Sequence, residues 1–95
     1  MKVVFDAKAA VDLENIYRFI AEDNPVNARG VADRIVASIE RLGSFPEMAR
    51  MGQVEGTREW VIPRLPYIAV YQIVAERDEL VVIGVFHGAQ RREPA

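Results

Sequence analysis

The sequence predicts an α+β fold, with an N-terminal strand and an antiparallel two-helix hairpin packed on a mostly antiparallel sheet in the order β-α-α-β-β-β. Two patterns predict it. Between residues 7 and 43, apolar residues recur at intervals of three and four, which is typical of amphipathic helices. After residue 56, short apolar runs rich in β-branched residues are joined by short turns, which is typical of a meander. Residues 1–95 are expected to form a single domain.

Local signals predict the first strand and the two helices. Residues 2–5 are apolar and rich in valine, and Asp6 is placed to cap the helix that follows, which is expected to end near Glu22. The second helix is expected to start at Asn24-Pro25, because asparagine caps a helix and proline at the first position sacrifices no hydrogen bond. So short a link between two helices requires an antiparallel hairpin.

Three strands are expected in the C-terminal half, at residues 57–62, 67–74 and 80–87, after an irregular segment over 44–55 that is predicted to be a loop. The last two strands are apolar on both faces, and such strands need cover on both faces. One helical hairpin covers only one face. The other face is therefore expected to expose an apolar surface that binds a protein partner.

Composition argues against several classes of function. The chain has no cysteine, which excludes thiol catalysis, disulfides and thiolate-bound zinc. His87 is the only histidine, so neither a metal site nor a cofactor is expected. The apolar runs are far shorter than the roughly 20 residues of a membrane-spanning helix, and a cytoplasmic protein is expected.

Arginine accounts for ten of the twelve cationic residues, and its planar guanidinium suits phosphate. His87 ends the last predicted strand, and histidine is the side chain that most often transfers protons in general acid–base catalysis. The candidate target-binding residues are Arg50, Arg58, Arg64, His87, Arg91 and Arg92. An ordinary solvated surface, or ion pairs with Glu55 and Glu59, would explain the same arginines equally well. For His87, the competing interpretation is a half-buried histidine that is hydrogen-bonded to the backbone, and a lone titratable residue favours it.

Several strings resemble toxins of the RelE/ParE superfamily, and above all its ParE-like branch. The strings, in order, are Asp12-Leu13-x-x-Ile16-Tyr17-x-x-Ile20, Asn24-Pro25, Gly56-Thr57-Arg58-Glu59-x-Val61, Pro66-Tyr67-Ile68-x-Val70-Tyr71 and His87-Gly88-Ala89-x-Arg91. Each string is weak by itself, but their order and spacing are specific.

The resemblance implies the toxin of a type II toxin–antitoxin system, with a helical hairpin packed on a mostly antiparallel sheet. It implies a cognate antitoxin that wraps the toxin and carries the DNA-binding domain, so that the toxin contacts DNA only indirectly. Combined with the apolar strand faces, it gives a set of residues expected to bind the antitoxin: Tyr67, Ile68, Val70, Val81, Ile83 and Val85.

The resemblance leaves two targets open. ParE-like members are described as inhibitors of DNA gyrase without catalysis of their own, and RelE-like members cut mRNA on the ribosome with basic residues and often a C-terminal tyrosine or histidine. This chain has no lysine in the strand region and no tyrosine after His87, which favours the gyrase inhibitor. Under the nuclease alternative, His87, Arg58 and Arg64 would form the catalytic site, with His87 as both acid and base.

Overall fold

The structure is a computed structural model that describes residues 1–90, and it confirms the predicted fold class. Two helices pack on a mixed five-stranded sheet. The elements in chain order are β1 (Lys2–Phe5), α1 (Ala7–Ala21), α2 (Pro25–Glu40), β2 (Arg50–Met51), β3 (Arg58–Val61), β4 (Tyr67–Val74) and β5 (Glu79–His87). Short 3₁₀ turns follow α2, β4 and β5, at Arg41–Gly43, Ala75–Arg77 and Gly88–Gln90.

The strands follow the order β1-β5-β4-β3-β2 across the sheet. β1 lies parallel to β5, and every other neighbouring pair is antiparallel. β1 pairs with β5 only from Glu79 to Val82, so within residues 1–90 the C-terminal half of β5 has no strand on its outer side. That uncovered length of strand contributes to the site described below.

The helical hairpin forms where the capping residues predict it. The Asp6 carboxylate accepts a hydrogen bond from the Ala9 amide at 2.9 Å, and the Asn24 side chain accepts one from the Asn27 amide at 3.0 Å. Pro25 occupies the first turn of α2. Both caps satisfy helix amides that have no partner inside the helix, which fixes where each helix begins.

The core lies between the hairpin and one face of the sheet. Ile35 and Ile39 of α2 are fully buried against residues of β4 and β5, among them Tyr71, Leu80 and Val82. These side chains form one continuous apolar cluster, and burying it drives the hairpin onto the sheet.

Two details of the sheet differ from the sequence prediction. Arg50–Met51 forms a short edge strand on β3, within the segment predicted to be a loop. β5 carries a bulge, because Val70 pairs with Gly84 while Tyr71 pairs with Val82, which leaves Ile83 as the extra residue. Simple alternation puts Val85 on the side of Ile83, but the bulge turns Val85 into the core instead.

The second face of the sheet carries apolar residues outside the core cluster. Ile68, Val70, Val81 and Ile83 form what we call the open sheet face. Val70, Val81 and Ile83 are half-buried, and Ile68 is nearly buried. Within residues 1–90 both helices pack on the opposite, core side, which agrees with the uncovered face that the strand pattern predicts.

Candidate functional site

A groove of about 520 Å³ lies between α1 and the C-terminal end of β5. It is lined by Lys8, Asp12, Asn15, Ile16, Phe19, Tyr67, Val85, Phe86 and His87. Most of the lining is apolar, and the ionisable residues come from the first turns of α1, the start of β4 and the end of β5. The groove is the concave site to which the candidate His87 contributes.

Asp12 ties α1 to the uncovered edge of β5. Its carboxylate accepts hydrogen bonds from the Val85 amide at 3.0 Å and from the Lys8 ammonium at 2.7 Å. Since β1 stops pairing at Val82, no strand of the described chain accepts from the Val85 amide, and the Asp12 side chain takes that role. This hydrogen bond therefore fixes α1 and β5, the two elements that form the groove, relative to each other.

His87 stands at the end of the groove and is held from two sides. Its Nδ1 accepts a hydrogen bond from the Ala89 amide at 3.0 Å, which places the proton of a neutral imidazole on Nε2. Its ring meets Tyr67 edge-on, with centroids 5.5 Å apart and an interplanar angle of 84°. Burial raises the pKa of the Tyr67 phenol, which keeps this neighbour neutral.

The candidate arginines have separate roles. Arg58 donates to the carbonyl oxygens of Ala49 at 2.9 Å and Glu47 at 3.3 Å. Arg50 pairs with the buried Glu59 at 3.2 Å. Both guanidinium groups therefore hold the chain around β2, and Arg50 forms one of the ion pairs considered from the sequence.

The candidate arginines also differ in their distance from His87 along the sheet. Arg64 is exposed in the β3–β4 turn, with a φ of 66°, and that turn leads directly into Tyr67, the residue opposite His87. Arg58 lies opposite Tyr71, four residues further along β4, or about 13 Å away. His87 and Arg64 thus share one end of the sheet, and Arg58 is remote from them. Arg91 and Arg92 lie outside the described residues.

Neither a cluster of metal-ligating side chains nor a membrane-spanning helix is found among residues 1–90. Across residues 1–90, no three histidine, aspartate or glutamate side chains are grouped closely enough to hold a metal ion. The same residues include no helix with the length and apolar character needed to cross a bilayer.

Comparison with known proteins identifies the family. The model of the ParE toxin of type II toxin–antitoxin systems, parDE, matches residues 3–92 of this chain. The chain belongs to the ParE toxin family. It is also 30% identical over 82 residues to Y4kP of Sinorhizobium fredii, a protein described as a candidate toxin, and the match covers 86% of this chain and 85% of that protein.

Solved structures show the same fold for this ParE-family chain. The chromosomal ParDE system of P. aeruginosa contains a chain that superposes with a TM-score of 0.83 at 23% identity, covering 92% of this chain and 95% of that one. The isolated E. coli RelE toxin gives a TM-score of 0.61 at 18% identity, with 97% and 87% covered. These findings confirm the superfamily and the fold that the sequence resemblance implies.

The residues predicted to bind an antitoxin are divided between the two faces of the ParE-family sheet. Tyr67 and Val85 are 7% and 2% exposed and belong to the core, and their remaining surface lines the groove. The other four form the open sheet face. One flat surface therefore cannot contact all six.

Sequence reasoning missed the most exposed apolar side chains of this ParE-family protein. Within residues 1–90 they lie on the helices, in the segment before β3 and at two positions of the sheet, Met51 of β2 and Val61 of β3. They are Val11, Phe19, Val26, Phe45, Met48, Met51, Val54 and Val61. One signal was available for Phe19, because it falls outside the stripe formed by Ile16 and Ile20. The segment over 44–55 carries no periodicity, so nothing in its sequence separates exposed from buried apolar residues.

Proposed function

We propose that this type II toxin is a ParE-like growth inhibitor that acts on DNA gyrase and is neutralised by a cognate antitoxin. The match to the ParE family model over residues 3–92 supports the ParE-like branch. An inhibitor that acts by binding a protein needs no acid–base set of its own.

The hydrogen bonds of Arg58 are the observation that favours gyrase over mRNA as the target. A nuclease site built from His87, Arg58 and Arg64 needs all three around one phosphate. Arg58 instead bonds to two loop carbonyls, and it lies about 13 Å from the end of the sheet where His87 and Arg64 stand. Bringing it to a phosphate there would require the chain around Ala49 to be released.

We further propose that the antitoxin covers the open sheet face. Val70, Val81 and Ile83 are apolar and half-buried there, and a second protein would complete their burial. The P. aeruginosa neighbour is described as a ParDE toxin–antitoxin system, which supports a partner of the same kind here.

One observation favours the nuclease as a second candidate. His87 and Arg64 share the end of the sheet beside the groove, which is where a phosphate and a general acid–base group could meet. A ribosome-dependent mRNA endonuclease built on this pair would have to work without Arg58.

Induction of the chain in cells separates the two targets. We expect growth arrest with intact mRNA at early times, and inhibition of supercoiling when the pure protein is added to purified gyrase. His87→Ala should leave both effects unchanged. Arg64→Ala tests the second residue of the nuclease alternative in the same way, and Arg77→Ala, at an exposed arginine in the β4–β5 turn, is its matched control. Early cleavage of transcripts that disappears in His87→Ala would establish the nuclease and refute the gyrase proposal.

A further inference from the structure

The turn over residues 45–48, between α2 and β2, exposes two large apolar side chains side by side. Phe45 is 59% exposed and Met48 45% exposed. A hydrogen bond from the Met48 amide to the Phe45 carbonyl, at 3.0 Å, closes the turn. Together with Pro46 and Glu47 they line a shallow hollow of about 320 Å³. We call this segment the 45–48 loop.

Side chains from the sheet hold the backbone of the 45–48 loop in place. The fully buried Tyr71 donates its hydroxyl hydrogen to the Pro46 carbonyl at 2.6 Å. Arg58 donates to the carbonyls of Glu47 and Ala49, and Ala49 is itself buried. A surface whose backbone is already ordered loses little entropy on binding, which is the property that strengthens a docking site.

The charge around the 45–48 loop favours a protein over a nucleic acid. The charged residues of the segment 44–56 are Glu47, Arg50 and Glu55. Arg50 is paired with the buried Glu59, and Arg58 bonds to loop carbonyls. Glu47 is the one charged residue of the loop itself, and its exposed carboxylate attracts a basic side chain and disfavours a phosphate in contact with it.

We infer that the 45–48 loop is a docking site for a segment of a partner protein that presents apolar side chains beside a lysine or arginine. Apolar anchors would fill the hollow between Phe45 and Met48, and the basic side chain would meet Glu47. Methionine adapts its shape to such a partner at little cost.

The partner is the toxin's target and not the antitoxin, an assignment that rests on the proposed function. Arg58 and Tyr71, which hold the 45–48 loop, are opposite each other on the core side of the sheet. Glu59 follows Arg58 and pairs with Val70 of the open sheet face. The 45–48 loop and the open sheet face therefore lie on opposite sides of the sheet, and two different proteins can use them.

Two variants of the 45–48 loop test this inference, with a control elsewhere. Phe45→Ser/Met48→Ser removes the apolar anchors, and Glu47→Lys reverses the charge while leaving the anchors in place. Val26→Ser replaces an apolar residue that is 85% exposed on α2. We expect both loop variants to inhibit purified gyrase at least tenfold less strongly and to arrest growth less. Their melting temperatures and their affinity for the cognate antitoxin should stay at the wild-type values. Val26→Ser should behave as wild type in every assay.

The outcomes separate this inference from the proposed function. If the wild type arrests growth without inhibiting gyrase and both loop variants lose the arrest, the gyrase proposal fails and the docking site stands. If the variants inhibit gyrase as strongly as the wild type, the docking site is refuted and the gyrase proposal stands. Loss of antitoxin affinity alone, or loss of self-association of the chain in size-exclusion chromatography, would assign the surface to another occupant and overturn the inference.

Discussion

At the scale of single residues, three side chains fix the irregular parts of the chain to the regular ones. Asp12 of α1 bonds to the uncovered edge of β5, and Arg58 and Tyr71 bond to the carbonyls of the segment before β2. Each satisfies a backbone group that lies where strand pairing does not supply a partner. The groove and the 45–48 loop both depend on bonds of this kind.

Replacing Asp12 should destabilise the fold by removing an acceptor. We expect Asp12→Ala to lower the free energy of unfolding by about 1–3 kcal/mol, because the Val85 amide would lose its partner in a buried setting. Asp12→Asn keeps an acceptor oxygen and should cost less. Urea denaturation measures both. Glu14→Ala is the control, since its exposed ion pair with Arg18 contributes only about 0.3–0.5 kcal/mol. Equal losses in Asp12→Ala and Glu14→Ala would contradict the role given to Asp12.

Tyr71 should make the fold sensitive to alkaline pH. Burial raises the pKa of its phenol more than the charge of Arg58 lowers it, so the folded state favours the neutral form. Its contribution to stability is therefore complete below the unfolded pKa of about 10 and is lost as the pH rises through the higher folded value. Urea midpoints measured from pH 8 to pH 11 should fall steeply above pH 10.

Tyr71→Phe gives the control for this alkaline effect. The variant loses the hydrogen bond to the Pro46 carbonyl, so it should be less stable than the wild type at pH 8. It has no phenol at that position to ionise, so its stability should fall less between pH 8 and pH 11. Parallel pH profiles for the two proteins would show that the alkaline loss comes from other groups.

At the scale of elements, the predictable features were those encoded by neighbouring residues. The Asp6 and Asn24 caps and the placement of Pro25 depend on contacts within one turn of helix, and the sequence displays them directly. The edge strand β2 and the bulge at Ile83 depend on pairing with residues that are distant in sequence, and no local pattern marks them. For the same reason, the residue pattern predicts the apolar character of β5 but assigns Val85 to the wrong face.

Two glycines provide a matched test of how element geometry contributes to stability. Gly30 lies in the interior of α2, and Gly56 lies before β3 with a φ of +83°; a Cβ added at either would meet nothing within 4 Å. Gly30→Ala should raise the free energy of unfolding by about 0.5–1 kcal/mol, because alanine favours a helix. Gly56→Ala should lower it by about 1–2 kcal/mol, because the left-handed conformation strains any residue with a Cβ. Thermal melting measures both, and a change of the same sign at the two positions would refute this account.

At the scale of the whole molecule, the sheet separates two surfaces of different character. The open sheet face is apolar and half-buried, and it lies opposite the helical hairpin. The 45–48 loop and the groove lie on the hairpin side, where the core fixes their backbone. The sequence predicted the first surface from strands that are apolar on both faces. It could not predict the second, because the exposure of Phe45 and Met48 follows from bonds made by residues of β3 and β4.

Positive charges placed on the open sheet face should weaken binding of the antitoxin and leave the inhibition of gyrase intact. Val70→Lys and Val81→Lys each put an ammonium at a half-buried position of that face, where a bound partner would have to desolvate it. We expect the affinity for the antitoxin to fall at least tenfold, which corresponds to about 1.4 kcal/mol. Co-expression of the antitoxin should then no longer rescue growth, while inhibition of gyrase should persist. Val26→Lys on α2 should remain fully neutralised. Variants of the 45–48 loop should show the opposite pattern, with weaker inhibition of gyrase and unchanged binding of the antitoxin. A folded variant of either surface that lost both gyrase inhibition and antitoxin binding would show that one interface serves both partners.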